Sequence, residues 1–551
     1  MKKVLSFFAT LLAIAGIGTL LSSCGKQKDV EGEHRTHVAV QLEDYGPWSI
    51  VDANGQIVAR DAYPREAMIS DVYDGVYWVK YDEGVFVLYN VNEPDKPLCD
   101  TCIAATEFAT GRAIVSMKGK PLQVIDTKGQ VVATLPESYV KVSAFNNEGV
   151  ARYLTDFADI NGTLDRDGKE IYEETLFNIL PNSLGDGAMI LSNGDIVDYD
   201  GDELGYIDTD DYKIEYESEA RFSDGLLGLI KREDIGVNVA YIDKKGNEQF
   251  TVEGFSPTVF HDGYAVYNTV NGAKVIDKQG NVLIETHDVH DQIIYLSQGK
   301  FLKYEDENCS IIDNQGNELC KLDDVRDVYN ATLLGGDRFL LYGGGYRIYD
   351  MQGKRIGDTP FAKISESPCY KTIDYINPDD LASYVSAELS SISIAVDVDS
   401  LMKKADMNMK TATNRNGISI KSKKFGMPLS IGYSYNGKIA QSLTHKERRG
   451  GYIYTVTDGY SLTGALLKSF TLSFELGDVD HPCTVDGYGL VNAIKQKLKD
   501  TGYEELDNGI FYTEGADPIN SYGKLLKGVT VDVSRPNRVT YLTIKCRIAF
   551  E

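Results

Sequence analysis

Tryptophan occurs twice, histidine seven times and proline fifteen times in 551 residues, and the 56 basic side chains are outnumbered by 82 acidic ones. The resulting net charge of -26 argues against nucleic acid as a partner, since phosphate binding needs a positive surface. The histidines are scattered, and no H-E-x-x-H, G-x-S-x-G, phosphate-binding loop or glycine-rich dinucleotide turn is present. Catalytic residues, a metal set and a cofactor are therefore not expected. Beyond the N-terminal segment there is no apolar run long enough to cross a bilayer. With 42% hydrophobic and 25% charged residues and a mean hydropathy of -0.25, disorder is excluded too. What is abundant is glycine, 52 residues, and tyrosine, 35, the signature of many short strands joined by glycine turns.

The N-terminus reads as an export signal, with Lys2 and Lys3 ahead of an apolar stretch over residues 5–21. It ends in Leu21-Ser22-Ser23-Cys24, which resembles the lipobox of bacterial lipoproteins. The resemblance implies acylation of Cys24, a signal peptide over 1–23, a tether over 24–36 and a lipid bilayer as partner. Gln27-Lys28-Asp29-Val30-Glu31 is similar to the lysine-plus-acidic surface-export signal of some Gram-negative lipoproteins, although Val30 and the spacing depart from it. An outer-membrane lipid anchor with display at the cell surface is expected, with the periplasmic face as the alternative.

Cys24 aside, seven cysteines remain, an odd number that leaves at least one free thiol. Cys99-Asp100-Thr101-Cys102 has C-x-x-C spacing but follows Pro97 and leads into a strand rather than a helix, so a structural or incidental disulfide is expected ahead of redox or metal chemistry. Cys309 and Cys320 flank Asp313-Asn314-Gln315-Gly316-Asn317; a hairpin closed by Asp313 and Asn317 sets Cys320 opposite Ser310 and aims the two sulfurs at opposite faces, against a disulfide.

A unit of apolar residue, Asp, two polar residues and Gly recurs at Asp52, Asp126, Asp165, Asp243, Asp277, Asp313 and Asp350, with degenerate copies at Asn90 and Asp208, at a mean spacing near 37 residues. In each copy the carboxylate can bond forward to the turn amides and Gly takes the positive φ, which makes a β-hairpin. Upstream elements such as Phe222-Ser223-Asp224-Gly225 and Phe260-His261-Asp262-Gly263 add a turn and a strand. An all-β module of three or four strands per unit is predicted over 37–360. Asp198-Tyr199-Asp200-Gly201-Asp202-Glu203 fails the register of a calcium loop and reads as another hairpin turn.

These residues resemble the WG, or KWG, β-repeat family; Gly205-Tyr206-Ile207-Asp208 carries the best match and Trp48 the only family-like tryptophan. The resemblance implies a propeller-like or stacked arrangement with a binding or scaffold role. Closure into a propeller is expected over an open solenoid, since no helix caps either end. Strands such as residues 264–267 are then core, and tyrosines on the rims are the candidates for stacking on a ligand.

Past residue 360 the period stops. Asn377-Pro378 and Asp486 begin helices, and strands are expected over 429–443 around Asn436-Gly437, over 452–457 and 466–476, and over 528–550 around Pro536-Asn537. An α+β domain over 365–551 follows, built from two copies of a helix-plus-sheet unit. Lys403, Lys404, Lys410, Arg415, Lys421, Lys423 and Lys424 form a basic stretch read as a solvated loop, and Asp478-Val479-Asp480-His481-Pro482-Cys483 is read as loop chemistry. The functional expectation is a non-catalytic binding or adhesion module for a protein or glycan, ahead of an envelope-assembly lipoprotein or an unrecognised hydrolase.

Overall fold

A computed structural model describes residues 35–550 except 82–83, 156–159, 181–182, 214–220, 233–237, 255–257, 270, 307, 324, 326, 336, 343–344, 394–399, 402–416, 450–451, 478–483 and 517–523. Cys24, the leader, residues 24–34 of the expected tether, Lys403, Lys404, Lys410 and Arg415 of the basic stretch, and residues 478–483 lie outside the described residues; Arg35 and Thr36, read as tether, already belong to the first strand of the ring. The chain is mainly β: a propeller-like repeat module followed by an α+β domain.

The repeat hairpins form as their residues dictate. In the first, Asp52 Oδ1 accepts from the amides of Asn54 and Gln56 at 2.9 and 2.8 Å, and Gly55 closes the turn at φ 76°. The same two bonds recur from Asp126, Asp165, Asp243, Asp277, Asp313 and Asp350. The fifth hairpin is a correction. It turns at Asp198 to Gly201, between strands Asp195–Asp198 and Glu203–Tyr206. Asp208, expected to hold that place, lies in the connection to the next unit.

Just after most of these turns the outer strand carries one extra residue. Ile312 faces Glu318 while Ile311 faces Cys320, and equivalent bulges follow the turns at Asp52, Asp126, Asp165, Asp198, Asp243 and Asp277. The bulge overturns the expected register: Cys320 sits opposite Ile311, not Ser310. Cys309 and Cys320 therefore face the same hydrophobic cluster rather than opposite sides, though both remain free thiols.

Most upstream elements are two-residue turns with positive φ at both central residues, as at Asp74-Gly75, Asp186-Gly187, Asp224-Gly225 and Asp262-Gly263, whereas the one over residues 146–150 is longer and closes on the Asn146 side chain. They also link units. Asp74 accepts from the Gly111 amide, Asp186 from Gly225 and Asp224 from Gly263, each at 2.7 Å, and Glu148 accepts from Gly187 at 2.8 Å. Charge-assisted bonds of this kind tie these four turns to the next unit.

Nine units follow one another among the described residues, and each junction has its own buried cluster. The ninth cluster joins Val38, Val40 and Val51 of the first unit to Leu334, Leu340 and Ile348 of the last, so the module is closed. The outer strands, such as Val131–Thr134 and Glu318–Lys321, are mostly exposed, whereas first strands such as Arg35–Gln41 and Tyr139–Ser143 are mostly buried.

After the ninth unit the chain does not leave. Lys363–Ile364 pairs with the first strand of unit 1, Ser365 Oγ accepts from the Ile69 amide of unit 2, Tyr370 N–H donates to Ala105 O of unit 3, and Thr372–Asp374 pairs with Tyr139–Ser143 of unit 4. Residues 363–376 thus form a strap across the inner edges of four units. The expected domain seam at 360–365 moves to about residue 377, because unpaired edge amides of those strands need partners. Limited proteolysis is expected to spare residues 365–368, where Ser365 is 8% exposed and bonded on both sides; rapid cutting there would contradict the strap.

The second domain is one antiparallel sheet in the order Gly417–Lys424, Met427–Arg449, Tyr452–Gly477, Thr540–Phe550, Lys524–Ser534, Phe511–Ala516, Glu504–Glu505. Helices Pro378–Ser390 and Gly487–Asp500 start where expected, with Asn377 and Asp486 accepting from first-turn amides. Leu381, Val385, Leu490 and Ile494 pack with Leu472, Phe474, Leu542 and Ile544 of the sheet. The first helix precedes a three-stranded meander and the second a four-stranded one whose first strand is only Glu504–Glu505, and the two meanders meet where Tyr452–Gly477 pairs with Thr540–Phe550. The expected turn at Asn436-Gly437 is absent: the strand runs through it with a local irregularity and continues to Arg449, so that it and Tyr452–Gly477 form one long ribbon. Of the basic stretch, Lys421 and Lys423 are exposed in strand Gly417–Lys424, and Lys424 lies 4.8 Å from the Phe425 ring.

Candidate functional site

The strap decides which surfaces remain open to a ligand. Residues 363–376 cover the inner edges of units 1–4 with the protein's own backbone, so those edges are not open to a ligand. Beneath them lies a buried polar knot. Arg35, 3% exposed, pairs with Asp71 at 2.6 Å, donates to Tyr73 Oη at 3.1 Å and to Leu333 O at 3.1 Å. Burial works against the guanidinium charge, but Asp71, Tyr73 and Glu107 outweigh it and its pKa is raised. These bonds tie units 1, 2 and 9, which makes the knot a closing device.

The strap then carries the second domain onto the ring. Asp374 bonds through its amide to Thr484 Oγ1 at 2.7 Å and pairs with Lys141 at 3.2 Å, and Asn377 bonds to Glu137. Along this seam lies a cleft of about 250 Å³, small beside ordinary ligand pockets. Gly84 and Ile103 line it from the ring; Leu476, Val485, Tyr488 and Val533 line it from the second domain. Tyr488, at the start of the second helix, is 78% exposed at its mouth. Thr484, Asp486 and Thr540 complete a lining that is mixed but more apolar than polar, and Tyr488 offers it an aromatic face for stacking.

Two more tyrosines stand out from the ring. Tyr45 is 80% exposed, with the Arg65 guanidinium 5.7 Å from its ring centre, and Tyr206 is 52% exposed. By contrast Tyr267 is buried and the Tyr264 hydroxyl accepts from Asn314 at 2.6 Å, so the strand read as core is core. Trp48 is buried as well, its Nε1 donating to Arg65 O at 3.1 Å.

The strongly shifted ionisable groups include several with structural work. The Tyr63 and Tyr77 hydroxyls touch at 2.5 Å, and burial pushes the Tyr77 phenol up to about 12. Glu174 is buried, which alone would raise its pKa, but the Tyr172 hydroxyl and the amides of Leu176, Phe177 and Thr175 outweigh burial and hold it below the usual range. Cys99 and Cys102 are different: their sulfurs lie 3.4 Å apart as free thiols. Among the described residues no group of three His, Cys, Asp or Glu side chains is placed to hold a metal.

Sequence reasoning missed Arg35, the seam and Tyr488. Arg35 precedes the first recognisable unit and carries no motif, and Tyr488 gains its position only when the second domain folds back on the ring.

The sequence matches no protein-family profile and no curated protein. Solved structures similar to the chain include BamB from Moraxella catarrhalis, at 11% identity over 51% of this chain and 97% of that one with a TM-score of 0.29, and the WD40 β-propeller domain of Doa1, at 13% identity over 45% and 92% with a TM-score of 0.23. A protein of unknown function from Bacteroides caccae is similar at 12% identity over 52% of this chain and 93% of that one, with a TM-score of 0.20.

Proposed function

We propose that the chain is a non-catalytic binding module of the bacterial envelope, tethered to the outer membrane by acylated Cys24, displayed at the cell surface and recognising a protein or glycan partner. The observation that carries this reading is the division of the ring's surfaces. The inner edges of units 1–4 are sealed by the strap, while Tyr45, Tyr206 and Tyr488 are left exposed on a frame locked from turn to turn. Rigid frames that display loops and aromatic side chains bind at little entropic cost. Among the described residues no helix is long and apolar enough to cross a membrane.

Two measurements test it. Cys24→Ala is expected to give an exported protein that no longer sediments with membranes, and continued membrane association after a salt wash would contradict the anchor. The Cys24→Ala protein, screened on glycan arrays and against solubilised envelope proteins, is expected to bind a ligand whose affinity drops roughly tenfold or more on Tyr488→Ala, the scale of one lost aromatic anchor. Turnover of a glycan or peptide in place of stable binding would overturn the non-catalytic reading.

A further inference from the structure

We propose that Cys99 and Cys102 form a reversible dithiol–disulfide couple, in which Cys99 is the attacking thiol and Cys102 the resolving one. Residues three apart in a regular strand point to opposite faces, so C-x-x-C within a strand ordinarily separates its sulfurs. Strand Cys99–Ala105 is not regular. Leu88 faces Cys99 and Phe86 faces Cys102, so two steps on one strand match three on the other. The extra residue is a bulge, and it turns both sulfurs into the cluster between units 2 and 3, 3.4 Å apart. From there a bond of about 2.05 Å needs only a local adjustment.

The two thiols are unequal in ways that assign their roles. Cys102 is fully buried, whereas Cys99 is half-buried. Gly129, at the turn of unit 3, packs against this point; a Cβ there would meet Leu98 O at 2.8 Å and Cys99 Cβ at 3.4 Å, so glycine lets the turn come this close to Cys99. The hydrogen bond shared by the two sulfurs, helped by the Thr101 amide, holds Cys99 down at about 6, while that shared bond and burial push Cys102 up.

The chemistry needs an oxidant, a small-molecule or protein disulfide. The Cys99 thiolate attacks one sulfur of RS–SR′; a Cys99–SR bond forms, the RS–SR′ bond breaks, and R′S⁻ leaves with the electron pair and takes up a proton. Cys102 then loses its proton to solvent and attacks Cys99 Sγ, forming the Cys99–Cys102 bond and expelling RS⁻, which is protonated in turn. Two cysteine thiols lose two electrons and two protons, and the oxidant becomes two thiols. The bond would lie within the strand that joins units 2 and 3, beside Ile103 in the cleft wall.

The full chain, equilibrated in glutathione buffers of graded ratio, tests this by peptide mass mapping across residues 97–117. The couple is expected to pass from dithiol to disulfide and back as the ratio is reversed. Alkylation of Cys99 in the reduced protein is expected to rise through a pH near 6 rather than near the free-thiol value of about 8.5. In Cys102→Ser the glutathione adduct on Cys99 is expected to accumulate, and in Cys99→Ser the adduct on Cys102 is expected to be at least roughly tenfold less. A bond that no glutathione ratio reduces, thiols that no ratio oxidises, or equal adducts in the two variants would overturn the proposal.

Discussion

Replacing Arg35 with Ala is expected to destabilise the ring by about 3–5 kcal/mol, the cost of stranding a buried carboxylate without its partner. From unit 1 the side chain reaches two other units at once: Asp71 and Tyr73 of unit 2 at 2.6 and 3.1 Å, and the carbonyl of Leu333 in unit 9 at 3.1 Å. Its own backbone carbonyl accepts from Gly335 at 2.7 Å, so the same residue staples the closing junction twice. Against a typical native stability of about 5–15 kcal/mol the loss is large. Chemical denaturation followed by circular dichroism measures it. The combined change Arg35→Met with Asp71→Leu, which removes both charges, is expected to recover much of the loss, and a loss below about 1 kcal/mol for Arg35→Ala alone would show that the knot does not hold the ring closed.

Trp78→Ala is expected to cost a similar amount, about 3–5 kcal/mol, for a different reason. The indole is fully buried between units 2 and 3, stacked 6.1 Å from Phe108 and edge-on to Phe86 at 6.2 Å. Its Nε1 donates to Thr106 O at 3.1 Å, so truncation leaves both a cavity and an unpaired carbonyl. Trp78→Phe keeps most of the packing and is expected to cost about half as much. Because repeat modules gain stability from junctions as well as from units, the loss should appear as a shift of the whole transition. A Trp78→Ala midpoint within error of the parent would refute the packing argument.

How far these effects could be read from the sequence depends on their range along the chain. Each turn is decided within five residues: the Asp carboxylate reaches amides two and four positions ahead, and only glycine takes φ near 76° without strain, so the motif names the hairpin. The helix starts at Asn377 and Asp486 were legible for the same reason, since a cap is a local hydrogen bond. Bulges were not. A single added residue in the outer strand changes no composition and no period, yet it moves Cys320 from opposite Ser310 to opposite Ile311 and brings both sulfurs of the C-x-x-C to one face. The fifth hairpin was misplaced because Asp198 and Asp208 both satisfy the local pattern, and pairing with Glu203–Tyr206 selects the first.

By itself the sequence determined the β-repeat character, the α+β region after it and the identity of the turn residues, because those follow from periodicity and from bonds between near neighbours. Tertiary structure alone decided that the ring closes at nine units, that residues 363–376 cross four of them, and that Tyr488 faces a cleft beside Ile103. Those outcomes join residues hundreds of positions apart, such as Arg35 with Leu333 and Ile69 with Ser365, and they are set by which unpaired strand edges and apolar faces come within reach once the units have folded.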